Sequence, residues 1–202
     1  TQEQYDILSD IAPTVAYPEL PWTIEWDQQI EIIGQALGQS EEAQELIDDI
    51  ERQFDEAAAS RPEYAELTFS YIYTDGPGTL GVFMPHEQRV AMVSKLGLQV
   101  DPVVETLPET EGTASAVIGL ENADKLKDSD LIFTFYTDAE TRKEIESQEL
   151  YASIPAIERG SVVVSEDTSF VTASSIINPL TVPWVLDRYL PLIDEAVAQL
   201  DR

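Results

Sequence analysis

One histidine, His86, and no cysteine leave this sequence little material for covalent or metal chemistry. A lone imidazole cannot form a His-pair metal site. Without a thiol there is no thiolate nucleophile, zinc–thiolate centre, iron–sulfur cluster or disulfide. No Walker loop, G-x-S-x-G elbow, H-E-x-x-H signature or D-x-D-x-D-G calcium loop is present, and Gly76-Pro77-Gly78 lacks the spacing of a dinucleotide fingerprint. Carboxylate pairs such as Glu41/Glu42 and Asp48/Asp49 are read as solvated helix surface rather than glycosidase acids, because 39 acidic residues must be placed somewhere. His86 is read as a solvent-facing residue just before a helix. An α/β enzyme would need a convergent nucleophile and base, and the sequence offers neither.

Binding is better served. Tyr71, Tyr73, Phe83, Tyr136 and Phe170 fall near one predicted sheet edge. Strand alternation puts Tyr71 and Tyr73 on one face of their strand. Phe83, in a glycine-flanked loop, is the aromatic best placed to face a cleft. Arginine is scarce, and Arg89 close to that loop is a candidate either to meet an anionic ligand or to form an ordinary ion pair.

The elements that must position these residues follow from periodicity. Thr1 to Asp10 carries a short helical face of Tyr5, Ile7 and Leu8, followed by the strand-like IAPTVAY. Ile30, Ile33 and Leu37 recur at helical spacing up to Gly38. Ser40 is read as the N-cap of a long amphipathic helix whose apolar stripe is Ala43, Leu46, Ile47, Ile50, Phe54, Ala57 and Ala58. Strands are predicted at LTFSYIY (67–73), DLIFTFY (130–136) and SVVVSED (161–167), with helices over 87–96, 120–127, 139–148 and 181–200. Pro191 is expected to kink the last of these. Alternating strands and helices imply a three-layer α/β sandwich with a mainly parallel central sheet. Ligands of such sheets sit outside the carboxyl ends of the strands, which places Tyr73, the 76–84 loop, Tyr136 and residues 166–174 together.

Composition sets the outer limits. A formal net charge of −28 over 202 residues repels phosphate backbones and anionic lipid heads, so nucleic-acid binding and electrostatic membrane attachment are excluded. No apolar run reaches the ~18 residues of a membrane span, and TQEQYDILSD is not a signal peptide.

Several segments, in order along nearly the whole chain, resemble the substrate-binding proteins of iron-siderophore ABC importers, a class that also includes vitamin B12 and haem binders. They are YDILSDIAPTV (5–15), Trp26 with IIGQALG (32–38), EEAQELI (41–47), MVSKLGL (92–98), GLENADKLKDSDLIF (119–133) and LYASIPAIERGSVVVSED (150–167). The resemblance implies a class III periplasmic-binding-protein-like fold, with two α/β lobes joined by one rigid helix. On that reading residues 1–39 are the end of the first lobe, 40–60 the interlobe helix and 61–202 the C-terminal lobe. It further implies no catalysis and no cofactor. The ligand would be a ferric siderophore or related chelate, held by Trp22, Tyr73, Phe83, Arg89, Tyr136, Phe170, Thr172 and Ser174. Glu121, in GLENADKL, would dock into arginines of the membrane permease. A monomeric extracytoplasmic location, in the periplasm or as a lipid-anchored surface protein, completes the expectation. The alternative is an α/β enzyme or metal-protein domain without a transport role.

Overall fold

The computed structural model describes residues 1–16, 24–74 and 76–200. Three helices come first, α1 (Gln2–Ser9), α2 (Trp26–Leu37) and α3 (Ser40–Ala59). Thr1 caps α1 through a reciprocal capping box with Gln4. No residue of α1 is buried, and residues 13–16 form no strand, so the described part of the IAPTVAY segment is not the strand expected. Tyr5, Ile7 and Leu8 stay at the surface.

α2 ends on Gly38 in the left-handed conformation (φ 71°), as a glycine C-cap requires. Its buried residues are Trp26 and Gly34, with Ile30 packed beside the core, whereas Ile33 and Leu37 are exposed. The contact is centred on a residue without a side chain. A Cβ on Gly34 would stand 2.3 Å from the Ala43 Cβ and 3.0 Å from the Gln39 carbonyl, so α2 can approach α3 this closely only through glycine. Gln39 occupies the cap position of α3 and Ser40 is its first helical residue, a correction to the cap assigned from sequence. In α3 the buried stripe is Ala43, Ile47, Ile50, Phe54 and Ala57, and Leu46 is exposed one step off it.

A short 3-10 turn at Pro62–Glu66 leads into β1 (Thr68–Tyr73). Then come β2 (Gly81–Phe83), α4 (Gln88–Lys95), β3 (Gln99–Val100) and β4 (Ser115–Val117). A 3-10 segment at Leu120–Leu126 precedes β5 (Leu131–Phe135). The chain continues through α5 (Ala139–Glu146), α6 (Glu149–Ala152), α7 (Pro155–Glu158), β6 (Val162–Ser165), α8 (Thr168–Ala173) and α9 (Val182–Val197). β1, β5 and β6 are the strands expected from sequence. β2, β3 and β4 are two or three residues long, too short for periodicity to register. The strand order is β4-β2-β1-β5-β6, with β3 also on β1. The β1–β3, β1–β5 and β5–β6 pairs are parallel, and the β1–β2 and β2–β4 pairs antiparallel.

Two apolar cores flank this sheet, one on each face, which makes the lobe a three-layer α/β sandwich. Alternation divides the strands between them: Phe69, Tyr71, Leu131, Phe133 and Val163 face one core with α3, α4, α8 and α9. Ile72, Val82 and Ile132 face the other, with Leu120, Ala123, Leu126, Ile145 and Tyr151. α9 runs through Pro191 as one helix, burying Val182, Val185, Leu186, Tyr189, Ile193 and Ala196.

Candidate functional site

The carboxyl ends of β1, β5 and β6 are Tyr73, Phe135 and Ser165, and they define one edge of the sheet. β2 returns antiparallel beside β1, pairing Gly81 with Tyr73. The Tyr73 ring lies flat over Gly81, where a Cβ would come within 2.2 Å of it. Its hydroxyl shares a 2.9 Å hydrogen bond with the Ser115 hydroxyl, and its ring is 4.7 Å from that of Phe83.

From Phe83 an aromatic series crosses the α9 side of the sheet. Phe83 meets Tyr71 at 5.7 Å, Tyr71 meets Phe133 at 5.7 Å and Phe133 meets Tyr189 at 5.8 Å. Tyr189 meets Phe170 at 5.1 Å, and Phe170 meets Trp184 at 6.3 Å. Most of these pairs are edge-on or tilted, the favoured arrangement for aromatic quadrupoles. Tyr71 and Tyr189 are fully enclosed, and burial pushes the Tyr71 hydroxyl up to about 12 and that of Tyr189 well above its ordinary range. Both phenols are therefore neutral and unsuited to proton transfer near neutral pH.

Arg89 sits on this series, its guanidinium 5.0 Å from the Phe83 ring centre and 5.5 Å from that of Phe135. Nη1 donates to Glu87 at 2.5 Å, and Nε is buried without a partner. Glu87 also caps α4, accepting from the Arg89 backbone N–H at 2.8 Å. Burial raises the Glu87 carboxyl above its usual range, and the neighbouring Arg89 pulls it back only in part. Of the two roles open to Arg89 from sequence, the ion pair is present, and it lies within the aromatic group rather than on open surface.

A hydrogen bond from the Ile177 N–H to the Gln88 side chain, 3.0 Å, ties the start of α4 to the loop before α9. That loop borders a groove of about 470 Å³ lined by Thr168, Ser169, Thr172, Ala173, Ile176 and Thr181. Ile176 and Leu180 are exposed beside it. A second cavity, also about 470 Å³, lies between Glu63, Leu67, Asp130, Arg159, Val197 and Leu200. It opens at the amino ends of the strands, away from the aromatic group.

The residues singled out from sequence thus divide. Tyr73 and Arg89 each pack on Phe83, and all three are half-buried at the carboxyl edge. Phe170 is buried and joins them through Tyr189 and Tyr71. Thr172 is exposed in the groove, its hydroxyl donating to the Thr168 carbonyl. Ser174 is buried and donates to the Val171 carbonyl. Tyr136 is not brought to the group: it belongs to the opposite core, where its hydroxyl pairs with that of Tyr151 at 2.7 Å, because it falls out of alternation with Phe133 and Phe135. Trp22 lies outside the described residues. Glu121 is exposed on the 3-10 segment, folded back over Gly119, whose φ of 73° admits that turn. His86 is exposed, 3.2 Å from Glu109. Phe135, Glu87 and Trp184 were not singled out; Phe135 was accessible from the 131/133/135 alternation, the other two only from tertiary contacts.

Among the described residues no group of three or more His, Asp or Glu side chains is placed to hold a metal ion. No helix among them is long and apolar enough to cross a membrane.

A family described as Periplasmic binding protein matches residues 1–168. The iron uptake ABC transporter substrate-binding protein PiaA of Streptococcus pneumoniae is 27% identical, with a TM-score of 0.82 over 98% of this chain and 68% of its own. The same protein in complex with ferrichrome gives 28% identity and a TM-score of 0.85, covering 98% of this chain and 67% of that one. FhuD2 of Staphylococcus aureus with bound ferrioxamine B is similar in fold, at 17% identity and a TM-score of 0.76 over 98% of this chain and 74% of its own. No curated protein matches. With the match extending over most of its length and the sandwich lobe in agreement, the chain belongs to the periplasmic binding protein family.

Proposed function

We propose that this protein is the extracytoplasmic substrate-binding component of an ABC importer and that it captures a ferric siderophore at the carboxyl edge of its sheet. The observation that carries this reading is the Tyr73–Phe83–Arg89–Phe135 group. It is an aromatic floor with one guanidinium and one phenol hydroxyl, suited to holding a large preformed chelate by contact and hydrogen bonds. The similarity to PiaA, crystallised with ferrichrome, supports the ligand class. α3, about 30 Å long, serves as the interlobe helix, and residues 1–39 belong with the first lobe. A rigid connector of this kind limits closure on the ligand to a small movement. Glu121 docks on the permease. Attachment to the membrane by a lipid anchor fits the same role.

Trp184, four contacts from Tyr71 along the aromatic series, is a reporter for occupancy. Titrating the whole protein with ferric tris-hydroxamate, ferric tris-catecholate, haem and cobalamin should quench its fluorescence with at least one iron chelate; no quenching by any of them overturns the proposal. Phe83→Ala should weaken that chelate about tenfold, the loss expected for one aromatic contact. Glu121→Arg should lower uptake by cells while quenching persists, and undiminished uptake refutes the docking role.

A further inference from the structure

Taking the carboxyl edge as the chelate-binding face, we infer that Glu87 sets the charge of the chelate accepted: by closing on Arg89 it makes this edge neutral at that half-buried cation and selects a ferric chelate without net charge over an anionic one. The inference rests on the reading proposed above and adds the substrate class.

Among the described residues Arg89 is the guanidinium that lies on Phe83 and Phe135, and its charge is already met by Glu87. Glu87 takes its Nη1, and the Glu87 side chain is only 12% exposed, against 21% for Arg89, so water screens the pair poorly. The positions where anions usually bind in such a fold are filled in the same way. Helix N-termini at the carboxyl ends of strands offer free N–H groups, but here each is capped by an acid of the chain itself: Glu87 at α4, Asp138 at α5 and Asp167 at α8. Arg142, 5.8 Å from the Tyr136 ring, is held by Glu146 at 2.8 Å and Glu166 at 2.7 Å. Arg188 lies exposed and flat on Trp184 at 3.9 Å, donating to the Trp184 carbonyl. Carboxylates outnumber guanidinium groups along this edge, in a chain of net charge −28.

Three hydroxamate groups neutralise Fe³⁺, whereas three catecholates leave a trianion. The first needs aromatic surface and a few hydrogen-bond donors; the second needs uncompensated cations. Glu87→Gln is the direct test, since glutamine keeps a side-chain oxygen for the α4 cap and removes one negative charge. A unit charge about 8 Å from a trianion in a water-like dielectric is worth on the order of tenfold in affinity. The whole protein and its E87Q variant are titrated with two hexadentate ferric chelates, an uncharged tris-hydroxamate and a trianionic tris-catecholate, at low and high salt. In the parent the uncharged chelate binds more tightly, with little dependence on salt. In E87Q the ratio of the two dissociation constants shifts about tenfold or more toward the trianion, and the gain shrinks in high salt. Glu87→Asp, which restores the charge, returns the parental ratio. A parent that prefers the trianion, or an E87Q ratio within about twofold of the parent, overturns the inference while leaving chelate binding intact. A parent that binds neither chelate removes the proposed function, and this inference with it.

Discussion

Phe133→Ala should lower the free energy of unfolding by about 3–5 kcal/mol, read as a fall in the urea midpoint at constant slope. Phe133 is wholly buried at the centre of β5, with Phe69 at 5.2 Å, Tyr71 at 5.7 Å and Tyr189 at 5.8 Å around its ring. Its backbone pairs with Tyr71 of β1 on one side and Val163 of β6 on the other, so the strand cannot slide inward to fill the space. The surrounding rings are themselves fixed, Tyr71 against Phe83 and Tyr189 against Phe170. The removed side chain therefore leaves most of its volume as cavity, which is what places the cost at the upper end for an aromatic-to-alanine change. Against a net stability of about 5–15 kcal/mol, such a loss leaves the fold marginal. Phe133→Leu, which keeps much of the volume, should cost less than half as much. A cost under about 1 kcal/mol for the alanine variant would mean that Tyr71 and Tyr189 close the gap, and the aromatic series would then not be the rigid floor described.

The parts of this fold that were legible in the sequence are those where one signal acts over many residues. β1, β5 and β6 announced themselves by β-branched and aromatic runs, and α3 and α9 by stripes of apolar residues repeated over several turns. Where the decisive partner is distant, the local pattern misled. Ile33, Leu37 and Leu46 have helical spacing, but the α2–α3 contact is centred on Gly34 and Ala43, and the larger residues were left outside. Ser40 is a good cap by type, yet the αL turn at Gly38 delivers the chain so that Gln39 takes that place. β2 is three residues long and owes its existence to pairing on both sides, with β1 and β4. The same holds at the site. Tyr73, Phe83 and Arg89 could be grouped from sheet topology alone, because strand ends and the loops after them share an edge. Tyr136 is separated from them by alternation alone, which places it with Ile132 on the face opposite Phe133 and Phe135. The pairing of Arg89 with Glu87 needed the geometry of the α4 cap.

Asp194→Ala should cost about 2 kcal/mol at neutral pH, and the part of that cost that depends on the carboxylate charge should be lost in acid. Asp194, on α9, accepts from Arg61 Nε and Nη2, both at 2.9 Å, and from the Tyr64 hydroxyl at 2.5 Å. The carboxylate thereby fastens the turn that follows α3 to the last helix. Its two partners are not equal. The ion pair with Arg61 is half open to water at Asp194, whose side chain is 45% exposed, and such pairs contribute at most about 1 kcal/mol. Tyr64 is 1% exposed, and alanine would leave its buried hydroxyl without an acceptor, a loss of about 1–3 kcal/mol. The hydroxyl therefore dominates, and Asp194→Asn, which retains an acceptor oxygen, should recover more than half of the loss. The hydrogen bonds from Arg61, ahead of that from Tyr64, hold the Asp194 carboxyl below its usual range. A group whose folded-state pKa is depressed contributes its stability above its unfolded value, about 3.9, and loses it as pH falls through the folded value. The difference in unfolding free energy between the parent and Asp194→Ala should thus be constant from neutral pH down to about pH 5 and shrink below about pH 4. Asp194→Asn, uncharged throughout, should show no such step relative to alanine. A parent–alanine difference that persists unchanged through acid would mean that packing rather than the carboxylate charge fastens α9 to the turn.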